Sequence, residues 1–303
     1  MYRGGDLLET LHGSMPEWLL LLAALVTRLG DVWVVISITI AASWLLTWRR
    51  STGEASPSQH GVTNTSEPPP AVWMVGVVVG GLAVMTALKY SFALPRPELV
   101  AATPSAVPPA LESTYVATVT LGGYGFPSGH ALGATVAYGL LALTVRTGTR
   151  RVRFAVAGVI VLAVSLSRVV LAVHYPGDIV AGIAVGGIYL IAMVWFLGRS
   201  PFDRVTTVFT LALGFALVSI AISGAAGRSV TYAALAAGGL AVWAFGHRRL
   251  RPFSLSRLTY HTGSATVSIG LLVGLAALDG SVAAVGPAAA IGALAVALAI
   301  IVS

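Results

Sequence analysis

The sequence predicts an all-α protein, a polytopic bundle of membrane helices, and three observations carry this prediction. First, 56% of the 303 residues are hydrophobic and only 10% are charged, with a mean hydropathy of +0.87, whereas soluble domains carry about 25% charged residues. Second, several apolar runs reach the roughly 20 residues that a helix needs to cross a bilayer core about 30 Å thick. Third, pairs of glycines four residues apart recur in these runs, which is typical of closely packed membrane helices. These pairs are Gly76 and Gly80, Gly182 and Gly186, and Gly270 and Gly274.

Charge and cysteine content exclude several classes of function. The formal net charge is +7, but Lys89 is the only lysine, and the arginines are spread over short loops. This spread is typical of membrane topology signals, so we expect no nucleic-acid partner. The chain contains no cysteine, which excludes disulfides, thiolate metal sites and cysteine nucleophiles.

The apolar runs predict nine membrane spans. Their approximate bounds are 31–48, 71–92, 127–145, 154–173, 178–198, 205–224, 229–246, 263–279 and 283–302. The run 16–27 is short for a span and ends at Arg28, which favours a helix lying in the membrane interface. The polar, proline-containing segment 49–70 is predicted to be a solvated linker. The long connection 95–126 is expected to fold over another part of the protein.

The positions of the arginines predict the orientation of the chain. One set of loops is rich in arginine and should be cytoplasmic by the positive-inside rule, which places the N-terminus outside and the C-terminus inside. Its arginines are Arg49, Arg50, Arg146, Arg150, Arg151, Arg153, Arg199, Arg204, Arg248, Arg249, Arg251 and Arg257. The opposite side keeps fewer basic residues, namely Arg3, Arg28, Lys89, Arg96, Arg168 and Arg228.

Ionisable residues gather at the predicted outer ends of consecutive spans. Such residues are costly near a bilayer, so each is a candidate for function. The six are Lys89, Arg96, His130, Arg168, His174 and Asp178. Lys89 and Arg96 could instead be interfacial anchors. We expect Asp31 and Glu98, near the same face, to be solvated or structural.

The stretch "PSGH" at 127–130 predicts an anion site. Proline is favoured in the first turn of a helix, so Pro127 is expected to begin the third span. The N–H groups of Ser128, Gly129 and His130 would then point out of the helix end, where the dipole favours a phosphate.

The charges suggest a role for each of these residues. Lys89, Arg96 and Arg168 can neutralise a phosphoryl group during transfer. Asp178 can bind one ring nitrogen of His174 and stabilise the cation that forms on attack, which assigns His174 as the nucleophile and His130 as the acid. A metal site is disfavoured because three cations accompany a single carboxylate.

Three motifs together resemble the type 2 phosphatidic acid phosphatase superfamily: K-x6-RP at 89–97, PSGH at 127–130 and SR-x5-H-x3-D at 167–178. The resemblance covers about residues 16–198. It implies a metal-independent phosphatase without a cofactor, with a phosphohistidine on His174, proton donation by His130 and orientation of His174 by Asp178. The phosphate-binding residues implied are Lys89, Arg96, Ser128, Gly129 and Arg168.

The resemblance also implies a domain organisation and a substrate class. Residues 1–200 would form a six-helix phosphatase core. The resemblance does not extend to residues 201–303, whose apolar runs predict about four further membrane helices of unknown role. The expected activity is hydrolysis of a lipid phosphate at the outer face of the cell membrane. The expected substrates are a polyprenyl diphosphate first, and phosphatidic acid or phosphatidylglycerol phosphate next. Two alternatives stay open: a lipid phosphotransferase using the same phosphohistidine, and a non-catalytic phospholipid transporter.

Overall fold

The regular secondary structure of the described residues is helical. The computed structural model describes residues 3–12, 15–51, 72–225, 228–246 and 291, and within these ranges it contains ten α-helices and no β-strand. The prediction of an all-α membrane bundle is therefore confirmed. The predicted spans 263–279 and 283–302 lie outside the described residues, apart from the single position 291.

Seven predicted spans coincide with helices to within about four residues at each end. The helices are α1 (Gly5–His12), α2 (Glu17–Val26), α3 (Val32–Ser51), α4 (Trp73–Phe92), α5 (Pro109–Val119), α6 (Gly129–Thr144), α7 (Arg150–Val170), α8 (Pro176–Leu197), α9 (Arg204–Ser223) and α10 (Ser229–Gly246). A short 3-10 turn, Thr27–Gly30, joins α2 to α3.

Helix length separates the full membrane spans from shorter apolar helices. In the described part of the chain, α4, α7, α8 and α9 are each long and apolar enough to cross a membrane. A fifth span is obtained if α2 and α3 are counted together, although the two are bent by 53° at the intervening turn. Helix α6 has 16 residues, which at 1.5 Å per residue gives about 24 Å, less than the roughly 30 Å hydrocarbon core.

Local sequence signals set several helix ends. The side chains of Ser128, Thr149 and Asp203 each accept a hydrogen bond from a backbone N–H three residues on, which caps the starts of α6, α7 and α9. Helix α9 ends at Ser223, and the next residue, Gly224, has a φ of 63°, the left-handed conformation that glycine adopts without steric cost.

Large apolar side chains on the outer surfaces of α7 and α8 are exposed. Val159 is 66% exposed, and Val180 and Ile188 are 68% and 67% exposed. A water-soluble protein rarely leaves such a stripe uncovered, whereas a helix that faces lipid requires one. These surfaces therefore support insertion in a membrane.

The chain divides into two compact units. The first comprises residues 1–35 and 85–190. One of its buried clusters joins Leu20 and Ala23 of α2 to Tyr115 and Val119 of α5 and to the residues that follow α7, including Leu171. The long connection 95–126 thus folds over α2, through α5.

Helices α6 and α8 approach closely within the first unit. A Cβ atom at Gly182 would lie 2.6 Å from the carbonyl oxygen of Ser128, and one at Gly186 would lie 2.9 Å from Cβ of Thr135. Any larger residue at either position would force the helices apart. This glycine pair therefore brings the start of α8 against the start of α6.

The second unit comprises residues 36–84 and 191–303, of which only the described ranges are considered. Its α9 and α10 form a helical hairpin. At the connection, the hydroxyl of Ser229 lies 2.8 Å from that of Ser219 and 3.1 Å from that of Ser223, and all three serines are buried. The predicted boundary at residue 200 between a core and an extension stays a prediction.

Candidate active site

All eight predicted site residues lie in the first unit, at or near the ends of four helices. They are Lys89 in the last turn of α4, Arg96 in the connection after α4, Ser128, Gly129 and His130 at the start of α6, Arg168 in the last turn of α7, His174 between α7 and α8, and Asp178 in the first turn of α8. Helix ends thus supply the site with both side chains and backbone groups.

His174 and Asp178 form a buried pair. Nδ1 of His174 lies 3.3 Å from Oδ2 of Asp178, which also accepts a hydrogen bond of 3.1 Å from the backbone N–H of Tyr175. The two residues are 1% and 0% exposed. Helix α8 starts at Pro176, so the carboxylate in its first turn reaches back to a ring placed just before the helix.

Arg96 determines which nitrogen of His174 carries the proton. Nη1 of Arg96 lies 3.1 Å from Nε2 of His174 and 3.0 Å from the carbonyl oxygen of Val173. A guanidinium group only donates hydrogen bonds, so Nε2 must be the acceptor and Nδ1–H must donate to Asp178. In this neutral tautomer Nε2 carries a lone pair, as a nucleophile requires.

Electrostatics keep His174 neutral. Burial lowers the pKa of His174 well below its usual value, and the positive charges of Arg96, Lys89 and Arg168 lower it further. The ring is therefore unprotonated at neutral pH. An incoming phosphate dianion would meet an uncharged nitrogen surrounded by cations.

The start of α6 corrects one part of the predicted phosphate cradle. The helix begins at Gly129 rather than at Pro127, with Ser128 as the N-cap residue, whose hydroxyl accepts a long hydrogen bond of 3.5 Å from the N–H of Ala131. The N–H of Ser128 is not directed to a ligand, because it donates to the backbone oxygen of Asp178 at 2.9 Å. The predicted cradle is reduced to the N–H groups of Gly129 and His130.

Lys89 lies beside this helix start. Its Nζ donates to the backbone oxygen of Tyr124 at 2.7 Å, and a Cβ atom at Gly129 would lie 3.6 Å from Cε of Lys89. The lysine side chain therefore lies within van der Waals reach of the start of α6. The lysine is anchored by carbonyl oxygens that are neutral, so its positive charge is not cancelled by them.

Arg168 is a buried cation that forms no ion pair with a carboxylate of the described residues. It is 1% exposed, and its Nη1 donates to the hydroxyl of Thr27. Its Nε and Nη2 are buried and have no hydrogen-bond partner among the described residues. A buried guanidinium with open donors is costly, and a phosphoryl oxygen is the kind of group that would satisfy it.

Two further residues contact the site that sequence reasoning did not assign to it. Asp31, expected to be solvated or structural, has its Oδ1 3.0 Å from Nε2 of His130. Nη1 of Arg3 lies 2.7 Å from Oδ1 of Asp178, and its Nη2 donates to the backbone oxygen of Pro95 at 2.6 Å. The guanidinium of Arg3 also stacks on the ring of Tyr175, 4.6 Å from its centroid.

No motif signals these two contacts. Asp31 is 99 residues from His130, and Arg3 is 175 residues from Asp178. A sequence pattern of fixed spacing cannot report partners that only the tertiary fold brings together.

A cavity of about 620 Å³ lies in the second unit and contains none of the predicted site residues. It is lined by Trp195, Phe196, Arg199, Ser200, Pro201, Phe202, Thr206, Thr207, Thr210 and Leu211. The guanidinium of Arg199 stacks on the ring of Trp195, 4.2 Å from its centroid. The lining contains no histidine, so it offers no counterpart to the chemistry of the first unit.

Comparison with known proteins finds a family match to part of the chain. Residues 70–202 match the family model described as the PAP2 superfamily. This segment holds all eight predicted site residues, and the match confirms the resemblance that the three motifs predict. No curated protein and no solved structure gives a significant match to the chain. The match to the PAP2 superfamily supports a phosphatase-type activity on lipid phosphates in a membrane protein.

Proposed function

We propose, from the membership of residues 70–202 in the PAP2 superfamily, that the protein is an integral membrane lipid phosphatase. It removes the terminal phosphate of a lipid monophosphate or diphosphate through a phosphohistidine intermediate. The observation that carries the proposal is the setting of His174: a buried neutral ring with Nδ1 against Asp178 and Nε2 against Arg96.

In the first step, Nε2 of His174 attacks phosphorus. A P–N bond forms, the bond between phosphorus and the leaving oxygen breaks, and His130 gives its proton to that oxygen. The positive charge that develops on His174 is stabilised by Asp178. Without substrate, Arg96 donates a hydrogen bond to Nε2 of His174. When substrate binds, Arg96 donates this hydrogen bond to a phosphoryl oxygen instead.

In the second step, water replaces the histidine. The neutral His130 takes a proton from the attacking water, a new P–O bond forms and the P–N bond breaks. Inorganic phosphate leaves, and both histidines return to their starting protonation states. Lys89, Arg96 and Arg168 hold the phosphoryl oxygens throughout, aided by the backbone N–H groups of Gly129 and His130. No metal ion takes part.

The position of the site at helix ends supports a lipid substrate. The headgroup can enter among the cations while its hydrocarbon tail stays beside exposed apolar helices. The arginine distribution supports an outer-face location for this end of the helices in the cell membrane. A polyprenyl diphosphate is the first candidate substrate, followed by phosphatidic acid and phosphatidylglycerol phosphate.

The test is phosphate release by the purified protein in detergent from a panel of these three lipids, without an added acceptor alcohol. We expect inorganic phosphate from at least one lipid, at a rate that a chelator such as EDTA does not change. Activity that is lost in EDTA and restored by a divalent ion would contradict the mechanism. Phosphate release only in the presence of an acceptor would identify a transferase. No turnover of any lipid would favour the transporter alternative.

A further inference from the structure

We propose that Asp31 is a positioning residue for His130, forming a second histidine–carboxylate pair that holds the general acid in the orientation from which it protonates the leaving oxygen. This inference rests on the proposed function, because it assigns a task within that same reaction. It adds a residue that lies outside the three motifs and outside the matched segment 70–202.

The contact itself is direct. Oδ1 of Asp31 lies 3.0 Å from Nε2 of His130. Oδ2 of Asp31 lies 3.4 Å from Nη1 of Arg28, whose Nη2 donates to the hydroxyl of Thr118 in α5. The carboxylate is thus fixed on its other side by an arginine tied to the connection that covers α2. Its side chain is 17% exposed, and that of His130 is 21% exposed.

Helix capping does not explain this carboxylate. Asp31 directly precedes α3, where an aspartate often accepts hydrogen bonds from the first N–H groups of the helix. Here its backbone oxygen accepts the hydrogen bond from Val35, while its two side-chain oxygens are directed to His130 and Arg28. The side chain serves the site rather than the helix end.

The turn that carries Asp31 is built against the general acid. A Cβ atom at Gly30 would lie 2.9 Å from Cδ2 of His130 and 2.5 Å from Cγ1 of Val164, so only glycine permits this approach. The hydroxyl of Tyr138, in α6, donates to the backbone oxygen of Leu29 at 2.9 Å. The helix that carries His130 therefore also fixes the turn that carries its partner.

Geometry explains what this partner supplies to the acid. Oδ1 of Asp31 is in direct contact with Nε2 of His130. A carboxylate that binds one ring nitrogen fixes both the orientation of the imidazole and the nitrogen that is directed elsewhere. With Nε2–H directed to Asp31, Nδ1–H is the group that donates to the leaving oxygen. After the transfer, Nδ1 carries the lone pair that accepts a proton from water.

The test compares two leaving groups in the Asp31→Asn variant. An alkyl monophosphate needs a proton on its alkoxide as it leaves, whereas the phenolate of dinitrophenyl phosphate leaves without one. The measured quantity is kcat/KM, which covers the steps up to release of the leaving group. We expect kcat/KM for the alkyl phosphate to fall roughly 10- to 100-fold, a part of the 10²- to 10⁴-fold that general acid catalysis supplies. For dinitrophenyl phosphate it should stay within about threefold of wild type.

Two further variants separate positioning from a structural role. In a His130→Ala background, Asp31→Asn should add little further loss, because the carboxylate acts through the imidazole. Glu17→Gln is the matched control: this carboxylate lies on α2, binds Ser105 and does not contact His130, so its removal should leave both substrates unaffected. If Asp31→Asn fails to fold, Asp31→Glu takes its place and should show a smaller selective loss on the alkyl phosphate.

Two outcomes would overturn the inference: equal losses on both substrates, or full additivity with His130→Ala. The proposed function fails separately. A wild-type protein that releases phosphate from neither compound and from no lipid contradicts the phosphatase itself. A different result rejects only the role of Asp31. In that case the wild type is active, His174→Ala is inactive, and the loss in Asp31→Asn does not depend on the leaving group.

Discussion

The two histidines of the site have carboxylate partners in very different settings. His174 and Asp178 are four residues apart in sequence and almost fully buried, and Nδ1 of the ring faces the carboxylate. His130 and Asp31 are 99 residues apart, both keep some exposure to solvent, and Nε2 faces the carboxylate. The pairs therefore hold opposite nitrogens of the two rings.

The contrast matches the two tasks that we propose. A nucleophile needs a fixed lone pair and no contact with protons from solvent, which a dry pair with a single tautomer provides. A general acid must give a proton to the leaving group and recover one from water, which requires access. The same residue types thus serve two steps because burial and partner geometry differ.

Removal of the nucleophile should have the largest effect. We expect His174→Ala to lose roughly four orders of magnitude or more in phosphate release, on alkyl and dinitrophenyl phosphates alike, because every substrate passes through the same P–N bond. Residual turnover above about 1% of wild type on either substrate would contradict the assignment. His130→Ala, in contrast, should spare kcat/KM for dinitrophenyl phosphate, because that leaving group departs without a proton.

The substitution Asp178→Asn should have the next largest effect on activity. The amide preserves the shape of the carboxylate but does not stabilise the cation that forms on His174, so we expect a loss of roughly 10² to 10⁴ in kcat/KM. The loss should be equal for both leaving groups, unlike that of Asp31→Asn. A loss confined to alkyl phosphates would mean that Asp178 serves the acid and that the two pairs have been assigned in the wrong order.

Arg3 tests how far the buried pair depends on a third partner. Its guanidinium joins Asp178 to the backbone of Pro95, and the side chain is 9% exposed. We expect Arg3→Ala to destabilise the protein by up to about 3 kcal/mol, since it leaves part of a buried carboxylate unpaired. Activity should fall roughly tenfold. Arg3→Lys keeps the positive charge but not the two parallel N–H donors of the guanidinium. Its stability and activity should lie between those of the wild type and Arg3→Ala.

Thermal unfolding in detergent and phosphate release, measured on the same samples, would check the Arg3 prediction. If Arg3→Ala unfolds at the wild-type temperature and keeps full activity, Arg3 is not needed to hold Asp178. The contacts of Asp178 with His174 and with the N–H of Tyr175 are then sufficient.

The pH dependence of kcat/KM gives the smallest and most direct comparison. A lowered pKa keeps the His174 ring unprotonated as the pH falls through 6.5, the usual value for histidine. Activity of the wild type should therefore persist below pH 6.5 on the acid side. Arg96→Gln removes one of the cations that lower the pKa of His174. The acid limb of its pH profile should therefore move up towards 6.5, whatever the overall loss of rate. An acid limb at or above 6.5 in the wild type would show that His174 is not held neutral.

Much of the fold could be predicted from the sequence because a bilayer imposes simple rules. A helix must satisfy its own backbone hydrogen bonds, and its length must match the hydrocarbon core, so runs such as 205–224 and 229–246 predicted α9 and α10 within about one residue. The arrangement of α5 over α2 could not be predicted, because the connection 95–126 has no periodic pattern that specifies its partner.

The site also has a part that could be predicted from the sequence and a part that could not. Asp178 follows His174 by four residues, and a helix that starts at Pro176 returns the carboxylate to the ring through local geometry alone. The start of α6 was predicted two residues too early, because the N–H of Ser128 is engaged by the backbone of α8. That contact depends on the close approach at Gly182, which no local rule for capping includes.

By itself, the sequence determined the membrane class of the protein, the helices and the residue types gathered at their ends, since these depend on hydropathy, helix geometry and fixed spacing. Only the tertiary structure decided that Asp31 faces His130 and that Arg3 faces Asp178. Both contacts join segments far apart in the chain. Such contacts depend on how helices pack together, and packing leaves no local pattern in the sequence.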